Sequence, residues 1–358
     1  MTKTRRLLAL VVGLVVLIGI TACGNSTPNQ AKLTWVAVAD WTVDLGGLHV
    51  YLDGALTRFD PNNLYGGASG LSFSHAPVCF NQDADQRVLG ALEHLPNYHI
   101  TGHSNLDHSY DTATMAKITN APIIGSPSTC FQAIAQGIPA SRCKVVLGGE
   151  TIDLGNGVKV RIVRWNHSGS SANPDLHNPL ELRQPPTPDA ATGCYRPGVL
   201  EDFPNGGGGR GLLFTAGDSG HQFSWFFCDT GSDFDFEQPV VVDNVSYGSP
   251  RDNLIAAMSD AGLTSVDLWI GLSSLPFAQK VVPILKPKAF IPNHLGSFYT
   301  DFFRGLQTLY TDTAVQSYLA SQGVRLLVPT QYMDAWTLDS TGTVSTPNVA
   351  VKQKLGFF

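Results

Sequence analysis

Charge is scarce in this chain of 358 residues: Asp, Glu, Lys and Arg make up 15%, and the formal net charge is −6. There is no run of basic residues, which excludes the clustered Lys and Arg that neutralise a phosphate backbone. Lys3, Arg5 and Arg6 stand at the very start, and the remainder carries 20 basic against 29 acidic residues. No nucleic-acid partner is expected. No Cys-x-x-Cys spacing occurs, which argues against a thiolate zinc site. Internal repeats, a Gly-X-Y period and heptad arrays are all missing, so repeat, collagen-like and coiled-coil architectures are excluded. The one long apolar run, Leu7–Ile20, has 14 residues, fewer than the about 20 that cross a bilayer. What is plentiful is hydrophobic residues (43%), with 36 Gly and 22 Pro. That composition describes a loop-rich globular protein, long enough for one large or two ordinary domains.

The start of the chain reads as an address. Basic residues precede the apolar run, and Thr21-Ala22-Cys23 supplies small residues behind it, the layout of a secretory signal. Ile20-Thr21-Ala22-Cys23 resembles the lipobox of bacterial lipoproteins. The resemblance implies removal of residues 1–22, lipid (palmitate among the acyl chains) on Cys23, and a polar tether over 23–32. The product would sit on the extracytoplasmic face of the cell membrane. Arg5-Arg6 leaves the route open between general and twin-arginine export. Six cysteines agree with export. Cys130 and Cys143 flank a short helical segment and are the favoured disulfide; Cys194 with Cys228 is the second choice. With Cys23 lipidated, at least one cysteine stays unpaired.

From residue 33 onward, strands alternate with helices. Leu33–Ala39 and Leu48–Leu52 read as an opening hairpin turning at Gly46-Gly47. Val88, Leu89, Leu92 and Leu95 give Asp83–Leu95 a helical period. Short strands are expected at Asn97–Thr101, Pro122–Ile124 and Lys144–Leu147, and a helix at Thr129–Gly137. Val158–Arg164 alternates apolar with Lys and Arg, the mark of a half-buried strand. Further strands fall at Gly211–Thr215, Val266–Ile270, Ala289–Ile291 and Arg325–Val328. Helices fall at Arg251–Ala261, Phe277–Leu285, Phe302–Leu309 and Thr313–Gln322. Two stretches read as insertions in a single domain over 33–358: residues 168–209, rich in Pro, Asn and Gly, and the more aromatic 221–250. The aromatic run 223–227 fits buried packing better than an acyl-chain grip.

His103, Asn105, Asp107 and His108 lie within six positions just after a strand, where alternate residues point the same way. Imidazole and carboxylate together suit a divalent cation such as zinc, although the same residues also serve as polar caps of a loop. Three more ligand-type residues each lie beyond a strand: His167, Asp218 and His294. Loops at strand ends are where α/β proteins build their sites.

In that order, Thr101-Gly-His103-x-Asn105-x-Asp107-His108, Asn166-His167, Ala216-Gly217-Asp218 and Pro292-Asn293-His294 resemble the metallo-β-lactamase superfamily. Leu213-Phe-Thr-Ala-Gly-Asp-Ser-Gly and Ile291-Pro-Asn-His-Leu-Gly-Ser-Phe are closest to the branch of N-acylphosphatidylethanolamine phospholipase D and ascorbate-6-phosphate lactonase. The resemblance implies an α/β fold, a four-layer αββα sandwich of two mixed β-sheets. It implies a metallohydrolase with two zinc ions, or one, with iron or manganese as substitutes. His103, Asn105 and His167 match one metal site, Asp107, His108 and His294 the other, and Asp218 the bridge between them. Asp53 matches a supporting carboxylate. A metal-bound hydroxide would attack a phosphodiester, lactone, or other ester or amide, with Asp107 orienting it or taking its proton. His221 is a candidate substrate contact or substitute ligand; His75, His99 and His177 read as structural or solvated. The substrate would be a small or lipid-like molecule. Asn105 departs from the pattern, which has His there, and an amide is the weaker ligand. The departure leaves three accounts: a working hydrolase, a one-metal enzyme using Asp107, His108 and His294, or a non-catalytic lipid-anchored binding protein on a degenerate scaffold.

Overall fold

The computed structural model describes residues 28–60, 76–169, 180–198, 201–218 and 220–357. The expected signal, Cys23, His75 and His177 lie outside them. The chain begins with strands β1 (Gln30–Ala37), β2 (Asp40–Asp44) and β3 (His49–Leu52), then helix α1 (Gln82–Ala91) and β4 (Tyr98–Ile100). Helices α2 (Leu106–Ser109) and α3 (Thr112–Thr119) lead to β5 (Ile123–Gly125), α4 (Pro127–Ala135) and β6 (Cys143–Val145). Next come β7 (Thr151–Gly155), β8 (Val158–Arg164), β9 (Arg210–Ala216), β10 (Phe223–Phe227) and a small hairpin, β11 (Val241–Val242) with β12 (Val245–Ser246). The last third holds α5 (Pro250–Asp260), β13 (Leu268–Gly271), α6 (Leu275–Leu285), β14 (Ala289–Pro292), α7 (Thr313–Ser321) and β15 (Arg325–Leu326). It closes with β16 (Ala335–Asp339), β17 (Gly342–Thr346) and α8 (Val349–Leu355).

The strands form two large mixed sheets, ordered β17-β16-β1-β2-β3-β4-β5-β6 and β15-β14-β13-β10-β9-β8-β7. They face each other across one core, to which the first contributes Leu33, Trp35, Val43 and Leu52, and the second Val160, Phe214, Trp225 and Ile291. The outer face of the second sheet, with Val163, Phe226, Trp269 and Phe290, packs on α5, α6 and α7 through Leu254, Phe277, Val281 and Leu319. Beyond β5, Ile123 meets Ala113 and Ala116 of α3 and Ala133 of α4. The result is the expected four-layer αββα sandwich.

Alternation explains why β8 was readable: Val158, Val160 and Ile162 enter the inter-sheet core while Lys159 stays exposed. The aromatic run is a different case. Phe223, Trp225 and Phe227 face the inter-sheet core and Phe226 faces the helices, so β10 is buried on both sides and shows no polar alternation. It is a central strand, antiparallel to β9 and parallel to β13, and this corrects the reading of 221–250 as insertion throughout. Gly46-Gly47 turns β2 into β3 rather than β1 into β3, since β2 pairs with both neighbours. The segment expected as a helix at Phe302–Leu309 is a single 3-10 turn, Phe302–Arg304. Cys130 and Cys143 are bonded, tying α4 to β6. Cys194 bonds to Cys79, not to Cys228, which is a buried free thiol at the end of β10.

Candidate metal centre

Direction decides what gathers at each end of the sandwich. β3 and β4 run parallel, as do β10, β13 and β14. β8 shares their direction because it and β10 are both antiparallel to β9. The residues just beyond β3, β4, β8, β10 and β14 therefore meet at one end: Asp53, His103, His167, Asp229 and His294. Asp53 and His294 both adopt left-handed backbone, φ 62° and 60°, a conformation that non-glycine residues hold only when their surroundings impose it. Asn293 fastens the region, accepting from Trp41 Nε1 at 3.0 Å.

After His103 the chain does not continue as alternating loop. Asn105 caps α2, its side-chain oxygen accepting from Leu106 N–H at 2.8 Å, and Asp107 and His108 occupy the first turn. Asn105 thus has a backbone role at the position where a ligand is expected. Asp107 Oδ2 lies 3.0 Å from His294 Nε2 and 3.5 Å from His108 Nε2. His108 Nδ1 lies 3.1 Å from Asp53 Oδ2 and 3.4 Å from Asp229 Oδ2. His103 Nδ1 pairs with Asp229 Oδ2 at 2.8 Å. The His167 ring stands 4.9 Å from that of His103, and its Nδ1 lies 2.9 Å from Ser168 O. Two groups of donor atoms fall within 4.8 Å of one another, His103–His108–Asp229 and Asp107–His108–His294, with His108 common to both.

Asp218 and His221 are not in this cluster. They sit in the turn between β9 and β10, at the other end of those strands. Asp218 accepts from the backbone N–H of Gly220 and His221, and both side chains are more than 60% exposed. The position expected for Asp218 is filled by Asp229, two residues beyond β10. The sequence carried a signal for it: Asp229-Thr230-Gly231 follows the aromatic run, and reading that run as a strand puts Asp229 at a strand end. Gly102 leaves room for that carboxyl. A methyl group there would overlap the Asp229 carboxyl head at distances below 3.0 Å, so Asp229 occupies the space a side chain at 102 would need.

The electrostatics are those of a concentrated, partly neutralised site. Burial opposes charge on His108, but Asp107 and Asp229 outweigh it and hold the imidazole well above its ordinary value. Burial likewise works against the Asp107 carboxylate, and His108 and His294 overcome it, holding it well below the usual range. Asp229 is brought down to about 2 in the same way, by His103 and His108 against burial. Burial and the neighbouring Asp229 push Asp53 well up. Burial, with His103 beside it, lowers His167 to about 3. Three atoms are left over: His103 Nε2, Asp107 Oδ1 and Asp229 Oδ1 are buried and have no hydrogen-bond partner among the described residues. Unpaired buried nitrogen and carboxylate oxygens beside two ligand groups are what a bound cation satisfies; the donor set fits the metal. A cavity of about 220 Å³ adjoins His167, walled by Asn166, Asp235, Pro239, Val240 and Val241.

By architecture the chain is an α/β protein of two large mixed β-sheets between helices. No family model matches it. A UPF0173 metal-dependent hydrolase of Pyrobaculum arsenaticum is 32% identical over 143 residues, 40% of this chain and 53% of that protein. The chain spans about half the length of the curated relatives it matches. Among solved structures, the metallo hydrolase Igni18 of Ignicoccus hospitalis superposes with a TM-score of 0.48 at 11% identity, covering 86% of this chain and 98% of that one. The metallo-β-lactamase fold protein YhfI of Bacillus subtilis gives 0.41 at 10% identity, covering 86% and 99%.

Proposed function

We propose that the chain is a metal-dependent hydrolase whose centre is built by His103, Asp107, His108, His167, Asp229 and His294. The observation that carries this is their convergence from separate strand ends with His103 Nε2, Asp107 Oδ1 and Asp229 Oδ1 buried and unpaired. Similarity to metal-dependent hydrolases supports it. One or two divalent cations, zinc first and iron or manganese as substitutes, would polarise the scissile carbonyl or phosphoryl group and ease ionisation of water. The chain's own groups prepare that chemistry. The Ser168 carbonyl takes up His167 Nδ1, leaving Nε2 as the ligating nitrogen. Asp53 does the same for His108. Asp107 stays ionised, with Oδ2 against His294 and Oδ1 left for the cation, and would orient the attacking water or take its proton.

The cavity beside His167, polar on the Asn166 and Asp235 side and apolar along Pro239–Val241, receives the substrate. We assign it to phosphodiesters, lactones or related esters, small or lipid-like, met at the outer face of a membrane to which Cys23 holds the chain. The test is hydrolysis of bis-p-nitrophenyl phosphate and a lactone panel by the metal-loaded chain, with loss of turnover after chelation and recovery on refilling. The rival reading, a binding protein on a decayed scaffold, draws on the capping role of Asn105. It is supported if the chain takes up no metal even after refilling, or holds metal and turns over no substrate in the panel.

A further inference from the structure

A second set of ligating side chains meets at the other end of the first sheet. Asp44 closes β2, His49 opens β3, and His94 lies just beyond α1. One donor atom from each falls within 4.8 Å of the other two. β3 runs from His49 to Leu52 and delivers Asp53 to the metal centre, so the length of that strand separates the two places.

The three residues are held to different degrees. Asp44 Oδ1 accepts from Gly46 N–H at 3.1 Å, and Oδ2 lies 2.9 Å from His94 Nδ1. His49 is clamped through its backbone, its N–H donating to Asn97 Oδ1 at 2.8 Å and its carbonyl accepting from Asn97 N–H at 2.6 Å. Its ring stacks on that of His94, centroids 4.2 Å apart and planes 14° from parallel, so both rings turn Nδ1 to one carboxylate. His49 Nδ1 is buried and 3.3 Å from Asp44 Oδ1, yet it makes no hydrogen bond among the described residues. A plain hydrogen-bonded pairing accounts for His94 and Asp44 and leaves that nitrogen with only the 3.3 Å approach to the same carboxylate. Around them stand two carboxylates, Asp44 and Glu93, against one ammonium, Lys32, which pairs with Glu93 at 2.9 Å. A cavity of about 40 Å³ opens beside the imidazoles, room for a water on an open coordination position.

We propose that Asp44, His49 and His94 form a second, peripheral site for a divalent cation of the zinc class, with two imidazole nitrogens and one carboxylate oxygen as protein ligands. That donor set suits zinc and its neighbours over calcium or magnesium. The His94 side chain, 55% exposed, turns about its terminal bond to aim Nδ1 at an ion shared with His49. The ion fastens the end of α1 to the β2–β3 hairpin, so its effect is on stability and not on turnover.

The test is isothermal titration of the metal-stripped full chain with Zn2+, alongside His94→Ala and His49→Gln. The visible spectrum of the Co2+-loaded forms counts imidazole ligands. Each variant is expected to bind one Zn2+ equivalent fewer, or to bind that equivalent at least about 100-fold more weakly, since even outer partners of a ligand are worth 10–100-fold. The Zn2+-induced rise in Tm should shrink while hydrolysis is unchanged. Because His94 is exposed, its variant tests the site without disturbing the core. Titrating Asp107→Ala as well separates the two sites: there the peripheral equivalent persists even if the hydrolase reading fails. The proposal is overturned if His94→Ala and the unaltered chain bind the same number of equivalents with the same affinity and the same Tm shift.

Discussion

Gly102→Ala asks whether Asp229 sits where the structure has it. The added methyl would lie within 3.0 Å of the Asp229 carboxyl carbon and both its oxygens, while the Gly102 backbone is outside the left-handed region. The penalty is therefore steric rather than conformational. Overpacking of this kind costs about 1–3 kcal/mol. Relief requires Asp229 to leave His103, breaking a fully buried pair at 2.8 Å, and breaking such a pair costs about 3–5 kcal/mol. The chain relaxes by whichever route costs less, so the loss should be roughly 1–3 kcal/mol, a sizeable part of the about 5–15 kcal/mol that holds a domain folded. Urea unfolding read by circular dichroism gives the change, and elemental analysis gives the accompanying loss of metal. Gly90→Ala is the control, since Gly90 lies in α1 with nothing within 4 Å of its added methyl. It should stabilise by about 0.5–1 kcal/mol. A Gly102→Ala chain within about 0.5 kcal/mol of the unaltered one, with full metal content, would refute the placement of Asp229.

Asp40 gives a prediction in pH. It is fully buried, accepts from Ala55 N–H, and burial raises its pKa from 3.8 to about 8. The folded chain therefore holds its proton more tightly than the unfolded chain. The resulting stability is fully present below pH 3.8 and lost as pH rises through about 8, at up to about 1.4 kcal/mol per pH unit. Asp40→Asn should flatten urea stability between pH 5 and 8; a variant-to-parent difference that does not change with pH would contradict this. The two disulfides should differ by the loops they close, 115 residues apart for Cys79–Cys194 and 13 for Cys130–Cys143. Replacing the first pair by Ala should cost about 4–5 kcal/mol and the second about 3, read as Tm shifts. Asp53→Asn keeps the size but replaces the carboxyl that takes up His108 Nδ1 by an amide; metal affinity should fall about 10–100-fold, measured by competition with a chelating dye, with little change in fold.

Much of the architecture was legible wherever one face of an element meets solvent. β8 and the helices around Asp83–Leu95 and Thr313–Gln322 show their periods because Lys, Arg, Gln and Ser mark the exposed side. β10 was hidden for the opposite reason. Buried on both faces, it shows no alternation, and its aromatics resemble packing beneath a loop. That one misreading cost the site its most informative residue: once β10 is a strand, Asp229 stands at the correct end and Asp218 at the turn. Gly217-Asp218-Ser219-Gly220 carries the right motif at the wrong end of a hairpin, which local sequence does not reveal because it depends on strand direction. β16 pairs with β1 across some 300 residues, and Cys79 meets Cys194 across 115. Such pairings are set by the whole sheet. His103, His167 and His294 were legible because each follows a strand closely, and the capping by Asn105 was not, because a capping amide and a ligating amide look alike in sequence.

The central claim is that Asp229, and not Asp218, completes the metal centre. Metal content per chain, measured by elemental analysis on the unaltered protein, Asp229→Ala and Asp218→Ala after the same zinc loading and desalting, tests it most directly. Asp229→Ala should lose at least one equivalent and Asp218→Ala should match the unaltered chain. Depletion by Asp218→Ala with full retention by Asp229→Ala would contradict the account.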